Sequence, residues 1–276
     1  IGGLMPLILP GNVASATADT AFSVDNSCRF NGSDSYLKWR DTGQGGSQKL
    51  NSISLWCKKC SNGVFNPLFL GRQNGDNFTI LHFDDDDRLD FYNEHGNAIK
   101  GRLRTNRKFR DPSAWYHILA IWDSGNGTAG NRMRLYVNGA EETSFETDTN
   151  PDEDQDSWFF LQNIWMYIGY DYGDLDVGHS SAKAFDGYIA QVLLVDGVIK
   201  GPTDMGEFDE DSPTIWKPKD ISGEEGTGTN GALLLFEDSS DLGANEHGAS
   251  APNDDWTSTN LAAVDQATDS PTNNFC

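Results

Sequence analysis

The sequence predicts an all-β fold: one antiparallel two-sheet jelly-roll sandwich. Three observations carry this reading. Apolar and polar residues alternate with period two in segment after segment. Turn-forming pairs such as Asn138-Gly139 separate those segments. No stretch sustains a helical period beyond a single turn, Pro202–Glu207 being the best case. A chain of 276 residues is long for an average domain but fits one large sandwich, and its 29 glycines suit many tight turns.

The elements follow in chain order. Residues 1–22 begin with an apolar run, Leu4-Met5-Pro6-Leu7-Ile8-Leu9-Pro10, interrupted by two prolines. Proline removes a donor and disfavours helix before it, so an extended arm is expected. Leu4, Leu7, Ile8 and Leu9 would then dock on a neighbouring subunit or fold back on their own domain. From Ser23 the pattern is β. Cys28 and Phe30 alternate with Ser27, Arg29 and Asn31, and Ile53 and Leu55 alternate within Ser52–Trp56. Phe78–Phe83 and Arg88–Tyr92 flank Asp84-Asp85-Asp86-Asp87, which predicts a hairpin with an acidic turn. Trp115–Trp122 is apolar on both faces and should be a central strand covered on both sides. Met133–Val137 runs into Asn138-Gly139, and Ile189–Val195 into Asp196-Gly197; both pairs predict a strand doubling back. A strand is also expected over Trp158–Gly169; if it runs on, Trp165, Tyr167 and Tyr170 are its alternate core residues, the reading that competes with a binding role for Tyr170. Leu233–Phe236 is the last strand. Residues 23–240 thus form the sandwich, and the polar residues 241–276 form a C-terminal segment or linker. The chain is expected to continue beyond Cys276, and a segment upstream of Ile1, such as a cleaved signal peptide, stays open.

Charge narrows the partners. Twenty Lys+Arg against 42 Asp+Glu give a net charge of −22, with a pI near 4.3. Such a surface repels nucleic-acid phosphates and anionic membranes. No apolar run approaches the ~18 residues of a membrane helix, so neither nucleic acid nor membrane insertion is expected. Eight Trp, 8 Tyr and 15 Phe supply a core. Cys28 is expected in that core, while Cys57-Lys58-Lys59-Cys60 leaves unpaired thiols, a local disulfide or a metal open.

Several strings together resemble a known family. They are Cys28-Arg29-Phe30-Asn31-Gly32, Ser54-Leu55-Trp56, Phe109–Ile118, Asn131–Gly139, Phe185-Asp186-Gly187-Tyr188-Ile189-Ala190, Trp216-Lys217-Pro218-Lys219 and Asn253–Thr257. The chain resembles the concanavalin A-like, laminin-G-like jelly-roll domain of structural proteins in tailed, especially marine, phages, over roughly residues 23–260. The resemblance implies a virion structural protein that decorates a capsid or forms part of a tail or fibre. Its partners would be other capsid or tail subunits, copies of itself in a homo-oligomer, and surface glycans. Its place would be the virion surface. The alternative is a secreted or surface carbohydrate-binding lectin, which would be extracellular.

Catalysis finds little support in the residues. Glycoside hydrolysis needs two carboxylates about 5–5.5 Å or about 6.5–9.5 Å apart across the sugar bond. The glucanases of this fold set theirs on one strand as Glu-x-Asp-x-Glu, and no such string occurs. The chain is therefore expected to be no enzyme and to need no cofactor. Calcium is the one optional ion: Asp171, Asp174 and Asp176 offer oxygen ligands beside a glycine, as does the Asp84–Asp87 turn. A sugar site needs an aromatic face with carboxylates nearby, which Tyr170, Asp171, Tyr172, Asp174 and Asp176 combine in one loop.

Overall fold

The computed structural model describes residues 22–172, 183–223, 228, 230–246 and 255–274. The arm residues Leu4, Leu7, Ile8 and Leu9 and the loop residues Asp174 and Asp176 lie outside them.

β1 (Ser27–Asn31), β2 (Tyr36–Trp39), β3 (Leu50–Lys59), β4 (Asn66–Asn74) and β5 (Asn77–Phe83) come first. β6 (Arg88–His95), β7 (Ala98–Lys108), β8 (Tyr116–Asp123), β9 (Met133–Val137) and β10 (Ala140–Glu141) follow. Then come β11 (Phe145–Thr149), β12 (Trp165–Ile168), β13 (Tyr170–Asp171), β14 (Lys183–Ala184) and β15 (Asp186–Asp196). One helical turn, α1 (Pro202–Met205), precedes β16 (Gly206–Phe208), β17 (Trp216–Pro218), β18 (Ala232–Leu234), β19 (Thr257–Thr259) and β20 (Gln266–Ala267).

Two antiparallel sheets form a jelly-roll sandwich. The first runs β10-β9-β8-β3-β15-β1-β20, with β18 also paired to β15; the second runs β11-β7-β6-β5-β4-β12-β2-β19. Alternation explains the core between them. Cys28, Phe30, Leu55, Cys57, Ile118 and Trp122 from the first sheet meet Leu37, Phe69, Leu81, Phe83, Phe91 and Ile168 from the second. β8 is covered on both sides, as its composition predicts. Ile118, Ala120 and Trp122 face the other sheet, while Leu119 and Ile121 pack under Met205, Ile221 and Leu235.

The two Xaa-Gly turns diverge. Asn138 and Gly139 both take left-handed φ, 51° and 76°, and β10 doubles back on β9. At Asp196-Gly197 only the glycine does, at 77°, and no tight hairpin forms. The Asp196 carboxylate is instead buried and accepts the backbone N–H groups of Ser47 and Asn230. The strand expected over Trp158–Gly169 is confined to Trp165–Ile168. Before it, Trp158, Phe159 and Phe160 are buried in turns, with Phe160 at φ 57°.

The polar C-terminal segment adds edge strands. β19 pairs with β2, β20 pairs with β1, and Trp256 stacks on Trp39 in the core. Lone anchors and short, half-wet edge strands leave no hydrophobic period to read. Cys57-Lys58-Lys59-Cys60 contains no turn, since β3 extends through Lys59. Cys57 is buried, Cys60 is exposed, and both are free thiols, as is the buried Cys28.

Candidate functional site

Alternation along the second sheet also builds its outer face. In β2, Leu37 and Trp39 point to the core, which leaves Tyr36, Lys38 and the following Arg40 outside. In β12, Met166 and Ile168 point inward, leaving Trp165 and Tyr167 outside. Tyr167 sits opposite Lys38 on one side and Leu70 on the other. Leu70, Phe78, Ile80 and Tyr167 form a small apolar floor, with Tyr36, Phe65, Tyr92, Trp165 and Tyr170 packed around it and partly exposed.

The rings form a continuous surface. Tyr36 stacks on Tyr170 with centroids 4.2 Å apart, and Tyr167 lies 5.8 Å from Tyr36 and 5.4 Å from Tyr172. Tyr172 is exposed. The Lys38 ammonium and the Arg40 guanidinium lie over the Trp165 ring at 4.9 and 4.8 Å. Burial raises the phenol pKa values of Tyr167 and Tyr170, and neighbouring Tyr36 adds to both, so these hydroxyls remain neutral donors.

The carboxylates Asp171 and Asp90 on this face are closed in ion pairs. Arg72 is almost fully buried; its Nη1 lies 2.9 Å from Asp171 Oδ1, and its Nη2 donates to Asp171 Oδ2 at 3.3 Å. The same guanidinium lies over Phe78 and Tyr172. Asp90, fully buried, accepts Arg102 Nε at 3.1 Å through both oxygens. His82 stacks on Phe65 at 4.2 Å. Burial lowers its pKa, against the pull of Asp90 and Asp84, and keeps the ring neutral.

The predicted loop residues Tyr170, Asp171 and Tyr172 are thus together at the rim of this surface. Asp171, however, is held in a buried ion pair with Arg72. Among the described residues no three His, Cys, Asp or Glu side chains group to hold a metal. The Asp84–Asp87 turn is likewise filled by cations. Asp84 pairs with Arg104, Asp86 with Lys108, and Asp87 with Lys59 and Arg110. Trp165, Tyr167 and Tyr170 do not fill the sandwich interior, as their alternation suggested. Trp165 and Tyr167 are one residue out of phase with Met166 and Ile168, which places them on the opposite face, and Tyr170 follows the left-handed Gly169 into β13. Sequence reasoning also missed Tyr36, Lys38 and Arg40. The Tyr36-Leu37-Lys38-Trp39 alternation was the signal that would have found them.

The two-sheet sandwich agrees with the family match. Residues 31–202 match the laminin G-type domain of the concanavalin A-like lectin/glucanases superfamily. The chain belongs to that superfamily. Similar solved structures include a SAP-like pentraxin from Limulus polyphemus, 16% identical, covering 65% of this chain and 80% of that one with a TM-score of 0.46. Domain 4 of the arabinanase AbnA from Geobacillus stearothermophilus, in complex with arabinotriose, is 17% identical over 63% and 72% of the two chains, with a TM-score of 0.43. Mouse laminin α1 domains LG4-5 are 17% identical over 64% and 44%, with a TM-score of 0.39. No curated protein matches the chain. Members of this superfamily include both binding modules and glycanases, so function must come from the site itself.

Proposed function

We propose that this chain is a non-catalytic, glycan-contacting jelly-roll module, and that it serves as a structural protein on the surface of a phage virion. The aromatic surface of Tyr36, Trp165, Tyr167, Tyr170 and Tyr172 carries the glycan part. Sugar rings present an apolar C–H face that stacks on aromatic rings, and neighbouring tyrosine hydroxyls and charged groups satisfy their hydroxyls. Tyr36, Trp165, Tyr170 and Tyr172, left partly open to water over the buried Tyr167, are better explained by a ligand than by the core.

The non-catalytic part is supported by the carboxylates of this face. Asp90 and Asp171 are locked to arginines, whereas a hydrolase's acid must hold and release a proton. The virion part is supported by the sequence strings that resemble tailed-phage structural proteins. Partners would then be capsid or tail subunits and further copies of this chain.

A glycan array with and without chelator tests the binding. Trp165→Ala should lower affinity for any glycan retained by the wild type by about fivefold or more, the cost of about 1–3 kcal/mol for losing one stacking ring. Unchanged affinity in that variant would remove the platform from the reading. A chelator effect would give calcium a role, and polysaccharide turnover would make the protein an enzyme. Peptides of this chain in purified particles would support the virion setting; neighbouring glycan-utilisation genes without portal or terminase genes would sink it.

A further inference from the structure

Most arginines of this protein hold a carboxylate, and Lys38 and Arg40 stand side by side without one. Acids outnumber bases by 42 to 20, and the arginines of the glycan-facing sheet hold carboxylates accordingly. Arg72 pairs with Asp171, Arg102 with Asp90, and Arg104 with Asp84. Among the described residues the side chains of Lys38 and Arg40 form no ion pair and no hydrogen bond; their contact is the face of Trp165, at 4.9 and 4.8 Å. In a chain of net charge −22, two adjacent cations without a carboxylate are the exception.

Their position makes the exception useful. They stand two residues apart on and just after β2, so both project from the outer face beside the same half-buried indole. Stacking on Trp165 fixes each side-chain stem without consuming an N–H donor. Three ammonium hydrogens and the guanidinium fork stay available, and a guanidinium matches a planar oxyanion with two parallel hydrogen bonds. Tyr36 and Tyr167 extend the aromatic surface from the same point.

We infer that the platform selects an acidic glycan, a sugar whose carboxylate or sulfate lies between Lys38 and Arg40 while a neighbouring ring stacks on Trp165. This rests on the glycan reading above and narrows it. The overall negative charge argues against nucleic acid or an anionic membrane as the source of the oxyanion, because both present extended fields of like charge. A short oligosaccharide presents one or a few charges at a place where two neighbouring cations are unopposed.

The test uses the full chain and a panel of paired oligosaccharides. Each acidic member (oligogalacturonate, oligoglucuronate, sulfated oligogalactan) is set beside its methyl-esterified or desulfated form. At low salt the acidic member of at least one pair should bind about tenfold more tightly than its neutral counterpart, the effect of about 1.4 kcal/mol. Added salt should narrow the gap, since exposed charges are screened. In the double variant Lys38→Gln, Arg40→Gln the ratio should fall to near one. Uronates and sulfated sugars distinguish which oxyanion is preferred. Neutral members binding as well as acidic ones, or a ratio that survives in the double variant, would overturn the inference while leaving the platform standing. No retention of any oligosaccharide, acidic or neutral, would overturn both.

Discussion

Replacing Asp87 by Asn is expected to destabilise the protein by about 3–5 kcal/mol, the usual consequence of leaving a buried charge without its partner. Asp87 sits in the acidic turn between β5 and β6, and Lys59 is the penultimate residue of the Cys57–Cys60 motif on the other sheet. The Lys59 ammonium lies 2.9 Å from Asp87 Oδ1, with side-chain exposures of 1% and 3%. It also sits over the Phe83 ring at 4.8 Å. Asp87 accepts the Gly63 N–H and Arg110 Nε as well. Burial opposes the charge on Asp87, but these donors outweigh it and hold its pKa below the ordinary carboxylate value.

Asn keeps the shape and tolerates the left-handed φ of 65° that Asp87 adopts, so backbone strain does not confuse the measurement. The two partners are unequal. Lys59→Met leaves Asp87 its arginine and its backbone N–H, so it should cost less than Asp87→Asn. The double variant should recover part of the loss. Denaturant midpoints read all three. A loss under about 1 kcal/mol for Asp87→Asn would mean that water reaches the pair and screens it.

The second large effect is expected at Trp216, on the outer side of the first sheet. Its Nε1 donates to His117 Nδ1 at 3.2 Å, and His117 Nε2 lies 2.9 Å from Ser54 Oγ. Indole nitrogen only donates, so Nδ1 must accept, and Nε2 carries the proton and donates to Ser54. Two glycines make room for the ring. A Cβ on Gly139 or on Gly206 would fall 2.4 or 2.5 Å from Trp216 carbons. Trp216→Ala should therefore cost about 3–5 kcal/mol and leave a histidine nitrogen without its donor.

The acid limb separates this from simple loss of packing. Burial pushes the His117 pKa down to about 3. The unfolded chain takes up this proton near pH 6.5 and the folded protein only near pH 3, so the contribution is complete above pH 6.5. It declines as pH falls between those values, by up to about 1.4 kcal/mol per pH unit. In Trp216→Ala water reaches the imidazole, its pKa returns toward 6.5, and this part of the slope should flatten. An unchanged slope would show that His117 does not carry it.

Both predictions concern motifs whose meaning the chain order conceals. Cys57-Lys58-Lys59-Cys60 left unpaired thiols, a disulfide or a metal open, and its lysines do electrostatic work that divides by face. Lys59 points inward to Asp87, and Lys58 points outward to Asp269 at 2.8 Å. Trp115 Nε1 also donates to Asp269, at 3.0 Å, which ties the C-terminal segment to the first sheet. The four aspartates at 84–87 suggested a cation site, and the cations that fill it are side chains from β3, β7 and the loop that follows β7.

By itself the sequence determined the sandwich, the acidic hairpin, the Asn138-Gly139 turn and the twice-covered β8. These follow from alternation and turn preference, which act between residues a few positions apart. It also put Tyr170, Asp171 and Tyr172 in one place, because they are neighbours in the chain. Only the tertiary structure decided which face of β12 meets the other sheet, that Asp171 belongs to Arg72, and that Lys38 and Arg40 share Trp165. Period two says that alternate residues separate but not which set is buried, and ion pairs join residues that the chain holds far apart.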